Sequence, residues 1–106
     1  MNPEEIIKYA KEEANKAAVF ARLGDKEDNY CGFAWIKITP ARGKFVTYLK
    51  KNNIGRNGAY GGWEISGHYF NPHSTQSMTF NEIVCRAAAN ALREHGVNAS
   101  MMSRAD

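Results

Sequence analysis

Cysteine is scarce in this sequence: Cys31 and Cys85 are the only two. A disulfide framework in so short a chain needs more, and both sit in apolar neighbourhoods, C-G-F-A-W-I and E-I-V-C-R-A-A-A. Two buried free thiols and a reducing compartment are expected. There are only three prolines, and no repeat, linker or low-complexity segment is visible. No apolar stretch approaches the ~20 residues that a bilayer span needs. The opening M-N-P-E-E-I-I-K lacks a basic segment followed by an apolar run, so no signal peptide is expected. These absences point to a cytoplasmic protein with no membrane role.

Acidic residues are missing from positions 29–63, which carry Lys37, Arg42, Lys44, Lys50, Lys51 and Arg56 for a local charge of +6. The flanks carry −2 (residues 1–28) and −1 (residues 64–106), giving the overall +3. A basic middle between mildly acidic ends argues against an acidic DNA mimic. It suits an anionic partner: nucleic acid, a nucleotide or an acidic protein face. With 106 residues, 43% apolar and 24% charged, the chain has the size and composition of one globular domain.

The pattern along the chain predicts an α+β domain. Asn2-Pro3-Glu4-Glu5 reads as a capped helix start. Ile6, Ile7, Ala10, Ala14, Ala17, Ala18 and Ala21 then recur at helical spacing through residues 3–23, and Gly24 stops the helix. After a polar turn at 25–29, residues 30–39 read as a strand. Phe33, Trp35 and Lys37 lie on one face and Ala34, Ile36 and Ile38 on the other, both at least half buried. Residues 44–51 fit a short helix through Phe45, Val46 and Leu49, or a strand through Val46, Thr47 and Tyr48; the helix is favoured. A glycine-rich loop covers 53–62, a strand 62–70, a helix 80–95 capped by Thr79 and Glu82, and a last strand 97–102 before a short tail. Two long alanine-faced helices on a small sheet of three to four strands make a two-layer domain. Reading 44–50 as a strand gives the order of a double-stranded-RNA-binding domain, but residues 77–82, S-M-T-F-N-E, lack that family's lysine cluster.

The loop N-I-G-R-N-G-A-Y-G-G-W (Asn53–Trp63) has neither a P-loop pattern nor the context of a dinucleotide site. It reads either as a connection needing positive φ at its glycines or as a binding loop. In the second case Arg56 and Gly61 offer charge and bare backbone, and Tyr60 and Trp63 offer stacking or anchoring surface. The basic residues Lys37, Arg42, Lys44, Lys50, Lys51 and Arg56 would track phosphates if they shared one surface. His68 and His73 lack a zinc spacing. They would serve acid–base phosphodiester cleavage only with partners the sequence does not supply. No catalytic residue, metal site or cofactor is therefore expected.

Three pieces, C-G-F-A-W-I-K-I-T-P (Cys31–Pro40), Y-G-G-W-E-I (Tyr60–Ile65) and the ending A-L-R-E-H-G-V-N-A-S-M-M-S-R-A-D, with Gln76-Ser77 between the second and third, resemble a group of small uncharacterised bacteriophage and prophage proteins. The resemblance covers residues 30–106. It implies a phage-encoded protein acting in the bacterial host cytoplasm, and it brings no activity, cofactor or catalytic residue. It marks Trp35, Tyr60, Gly61, Gly62, Gln76, Ser103 and Arg104 for attention. The leading expectation is a non-enzymatic accessory protein that binds a host protein or ribonucleoprotein complex, as a host-defence inhibitor would. The alternative is direct, weakly sequence-specific nucleic-acid binding through residues 37–56. A small nuclease or nucleotide-handling enzyme is the third reading.

Overall fold

The computed structural model describes residues 1–24, 31–72 and 77–106. The expected turn at 25–29, the start of the first strand at Tyr30, and His73 and Gln76 lie outside the described residues. Helix α1 (Pro3–Leu23) starts as its sequence predicts: the Asn2 side chain accepts from the Glu5 amide and the Glu5 carboxylate accepts from the Asn2 amide. Each bond satisfies a donor that a helix N-terminus otherwise leaves open. Strand β1 (Gly32–Ile38) follows, then helix α2 (Lys44–Lys51), strand β2 (Arg56–Asn57), strand β3 (Trp63–Ser66), the single-turn helix α3 (Gly67–Phe70), helix α4 (Met78–Glu94) and strand β4 (Ala99–Ala105). The four strands form one antiparallel sheet in the order β2-β3-β1-β4.

The long helices α1 and α4 pack on each other, with α4 against β1 and β4. Ala10, Ala14, Ala18 and Ala21 of α1 and Ala88, Ala89 and Ala91 of α4 are all buried; side chains this small let two helices and a sheet approach closely. The sheet contributes Ala34, Ile36, Ile38 and Ile65, with Phe70, Phe80, Leu49 and Leu92 closing the core. Each large apolar side chain so buried contributes about 1.5–3 kcal/mol.

Of the two readings of residues 44–51 the structure has the favoured helix, and three other local expectations change. Residues 44–51 are a helix, because Val46 and Leu49 bury at helical spacing with Phe45 and Tyr48 half buried beside them. The strand expected over 62–70 ends at Ser66, whose hydroxyl accepts from the His68 amide and starts α3. Helix α4 begins two residues early: Ser77, not Thr79, is its cap, its hydroxyl accepting from the Phe80 amide. Glu82 does not close a capping box; its carboxylate accepts from the Ser103 hydroxyl at 2.6 Å. The last strand runs to Ala105 and absorbs the expected tail, held by the Asp106 amide donating to the Cys31 carbonyl at 3.1 Å. Neither cysteine is in a disulfide; Cys85 is buried, whereas Cys31 is only half buried.

Candidate functional site

Strand alternation gives the sheet two unlike faces. Ala34, Ile36, Ile38, Trp63 and Ile65 point at the helices and are buried. The opposite face carries three rows of register partners. Arg56, Glu64, Lys37 and Ser100 form the first; Ser66, Trp35 and Met102 the second; Phe33 and Arg104 the third. Both long helices lie on the other side, so this face stays open: Phe33 is 51% and Met102 39% exposed. The expectation that both faces of β1 are at least half buried therefore fails at Phe33.

An open groove of about 990 Å³ runs over this surface, with Trp35 in its floor and Tyr60, His68, Arg104 and Asp106 among its walls. The Arg104 guanidinium lies 5.8 Å from the Phe33 ring centre, within cation–π range. Arg56 Nε is 4.0 Å from Glu64 Oε1, and Glu64 has Lys37 as its register partner on the other side. That row thus alternates in sign. Trp35 Nε1 is buried and has no hydrogen-bond partner among the described residues, an arrangement that costs about 1–3 kcal/mol.

The glycine-rich loop divides into an anchored base and an exposed tip. At the base, Trp63 is core, 7% exposed, and its Nε1 donates to the Ile54 carbonyl at 2.8 Å. Gly55 has a φ of +87°, and a Cβ there would stand 2.5 Å from Trp63 Nε1 and closer still to the Glu64 carbonyl oxygen. The tip is a tight reversal in which the Gly58 amide donates to the Gly62 carbonyl at 2.9 Å. It leaves Tyr60 95% exposed beside Gly61. Of the loop residues singled out from sequence, Arg56 and Tyr60 reach the groove, Gly61 shapes the tip, and Trp63 belongs to the core instead.

The basic segment is divided between the two faces. Lys37 and Arg56 lie on the open one. Lys50 projects from α2 over the Trp63 ring, 5.4 Å from its centre, on the helix side, and donates to the Ala41 carbonyl. Arg42, Lys44 and Lys51 are exposed on and beside α2. The single phosphate-tracking surface expected from the sequence is thus not assembled. Arg104, from the far end of the chain, joins the open face. His95 caps α4 and meets the Tyr9 ring edge-on at 5.1 Å, while His68 is exposed at the groove wall.

Sequence reasoning passed over Phe33 and Met102. The signal for Phe33 was present: in C-G-F-A-W-I-K-I one face of the strand carries Phe33, Trp35 and the charged Lys37 and the other only Ala34, Ile36 and Ile38, and a face that includes a charge is the one left to solvent. Among the described residues, no group of three or more His, Cys, Asp or Glu is placed to hold a metal ion, and no helix is long and apolar enough to cross a membrane. Comparison of the chain with protein-family models, with curated proteins and with solved structures finds no match.

Proposed function

We propose that this is a non-enzymatic interaction protein that docks a partner protein on its open sheet face, the partner being a host protein or the protein component of a host ribonucleoprotein complex. The observation that carries the reading is the exposed pair Phe33 and Met102 with the half-buried Trp35 between them, rimmed by Arg104 and the Arg56–Glu64–Lys37 row, with Tyr60 held out beside it. Aromatic and arginine side chains at the centre of a patch with a polar rim have the composition of interaction hot spots. The charges here are of both signs, which favours a protein surface over a polyphosphate. The division of the basic segment between two faces weighs the same way. Resemblance to small phage proteins is in keeping with a partner in the bacterial cell, and a host-defence complex is the target class this reading puts first.

A second reading rests on one observation: Lys37, Arg56 and Arg104 share their face with Phe33 and Trp35. Bases of a single strand would stack on those rings, with affinity that falls steeply as salt rises. Pull-down from bacterial lysate with and without nuclease separates the two. Retention of a specific protein after nuclease treatment, lost in Phe33→Ala and Tyr60→Ala, supports protein docking. Recovery of nucleic acid alone, abolished by nuclease or salt, replaces it with the second reading.

A further inference from the structure

Strand β4 is one edge of the sheet, seven residues long, whereas the strand at the other edge, β2, has two. The Thr39 amide donates to the Asn98 carbonyl and the Asp106 amide to the Cys31 carbonyl, both at 3.1 Å. Alternation along an antiparallel pair then assigns the backbone groups of Ser100, Met102 and Arg104 to β1. Those of Ala99, Met101, Ser103 and Ala105 point away from the sheet. The Ala99 carbonyl accepts from the Arg93 guanidinium. Among the described residues, no strand pairs beyond Met101, Ser103 and Ala105. Natural sheets blunt such an edge with proline, charged side chains (lysine above all) or a bulge, and β4 carries one charge, Arg104. Here the register with β1 runs one-to-one from Gly32–Ala105 to Ile38–Ala99 without a bulge, and A-S-M-M-S-R-A contains no proline or lysine.

We propose that a second copy of this chain occupies this edge, its β4 pairing antiparallel with the first about a two-fold axis at Met102 and joining two four-stranded sheets into one. The side chains select that axis. Centred on Arg104, the pairing would set two guanidinium groups opposite each other, which is repulsive. Centred on Ser103, it would bring together two Glu82 carboxylates, each bound to a Ser103 hydroxyl. Centred on Ser100 or Met101, it would rely next to its centre on the Ala99 carbonyl that Arg93 already holds, whereas centred on Met102 only the outermost pairs, Ala99 with Ala105, meet that carbonyl. Centred on Met102, it sets the two Met102 side chains against each other beside Trp35 and hides apolar surface now 39% exposed. Arg104 then faces Ser100 of the second copy, and Met101 exchanges backbone hydrogen bonds with Ser103 of the second copy. A contact confined to one strand is small, so the association is weak and depends on concentration. The inference does not depend on the open-face docking proposed above.

Sedimentation velocity from micromolar to millimolar protein should show the chain passing from monomer to dimer. Ser103→Pro removes an amide that points away from β1, where an edge strand tolerates proline; it should remain folded by circular dichroism and monomeric throughout. A second measurement holds even if that variant unfolds. In a Cys31→Ser background, Met102→Cys should cross-link to a covalent dimer under mild oxidation. Arg104→Cys should give at least about tenfold less, because its mate would lie ~14 Å away along the strand, beyond disulfide reach. Wild-type protein that stays monomeric at every concentration, a dimer that survives in folded Ser103→Pro, or equal cross-linking from positions 102 and 104 would overturn the proposal.

Discussion

Replacing Gly55 with alanine should cost the fold far more than replacing Gly61, although both glycines belong to the same loop and both have positive φ. Gly55 has a φ of +87° and Gly61 of +93°, so an L side chain at either meets the same backbone penalty of about 1–2 kcal/mol. Their surroundings differ. A Cβ at Gly61 meets nothing within 4 Å, whereas one at Gly55 runs into Trp63 Nε1 and the Glu64 carbonyl oxygen. Neither neighbour can give way cheaply. Glu64 is paired with Lys37 on one side and Arg56 on the other, and Trp63 is bound to the Ile54 carbonyl. Forcing atoms into such a contact adds about 1–3 kcal/mol. Gly55→Ala is therefore expected to lose about 3 kcal/mol or more, and Gly61→Ala about 1–2 kcal/mol. Urea denaturation at constant m-value measures both. In a thermal melt the difference should appear as a Tm lower by roughly 4–8 °C for each kcal/mol. Equal losses, or a Gly55→Ala loss below that of Gly61→Ala, would refute the idea that the base of the loop is structurally anchored while its tip is free.

Three further outcomes are expected. Tyr9 donates from its hydroxyl to Glu94 Oε2 at 2.6 Å, a bond that only the neutral phenol makes, and this together with burial pushes its pKa up to about 12. Its folded value exceeds its unfolded one, so this contribution is full below about pH 10 and is lost as pH rises towards 12; phenolate absorbance should show a late-titrating component that Glu94→Gln removes. Burial raises the Cys85 thiol to about 12, so mass-detected alkylation at pH 8 should spare Cys85 in native protein and reach it only in denaturant. Trp35→Phe removes a buried donor that has no partner among the described residues at the loss of some ring area, and urea melts should place it within about 1 kcal/mol of wild type.

Much of the architecture was legible because it depends on local chemistry. The Asn2–Glu5 cap, the alanine stripes of the two long helices and the alternation of β1 are written over short spans. The missed boundaries were decided by choices between near-equal local options. Ser77 and Thr79 can each cap α4, and the Glu82 that would have closed a box with Thr79 instead accepts from Ser103, 21 residues away. The strand from Trp63 stops because Ser66 caps a turn of helix, which alternation alone does not reveal. The candidate site was legible only in pieces. Tyr60 and Arg56 stood out by composition, and Arg104 through the phage-protein resemblance. That Phe33, Trp35, Met102 and Arg104 form one surface follows from the β1–β4 register, a pairing of distant segments. The basic segment misled because residues adjacent in sequence diverge onto opposite faces once Pro40 ends β1 and α2 folds back over Trp63.

The docking surface proposed here is the open sheet face and not the basic helix α2. That assignment is tested most directly by quantitative capture from nuclease-treated bacterial lysate with three proteins side by side: wild type, Phe33→Ala/Tyr60→Ala, and Arg42→Glu/Lys44→Glu/Lys51→Glu. All should be folded, since each altered side chain is exposed or half exposed. The account predicts that the aromatic variant loses the captured protein while the charge-reversed variant keeps it. Capture retained by the aromatic variant and lost on charge reversal would contradict the account and place recognition on α2.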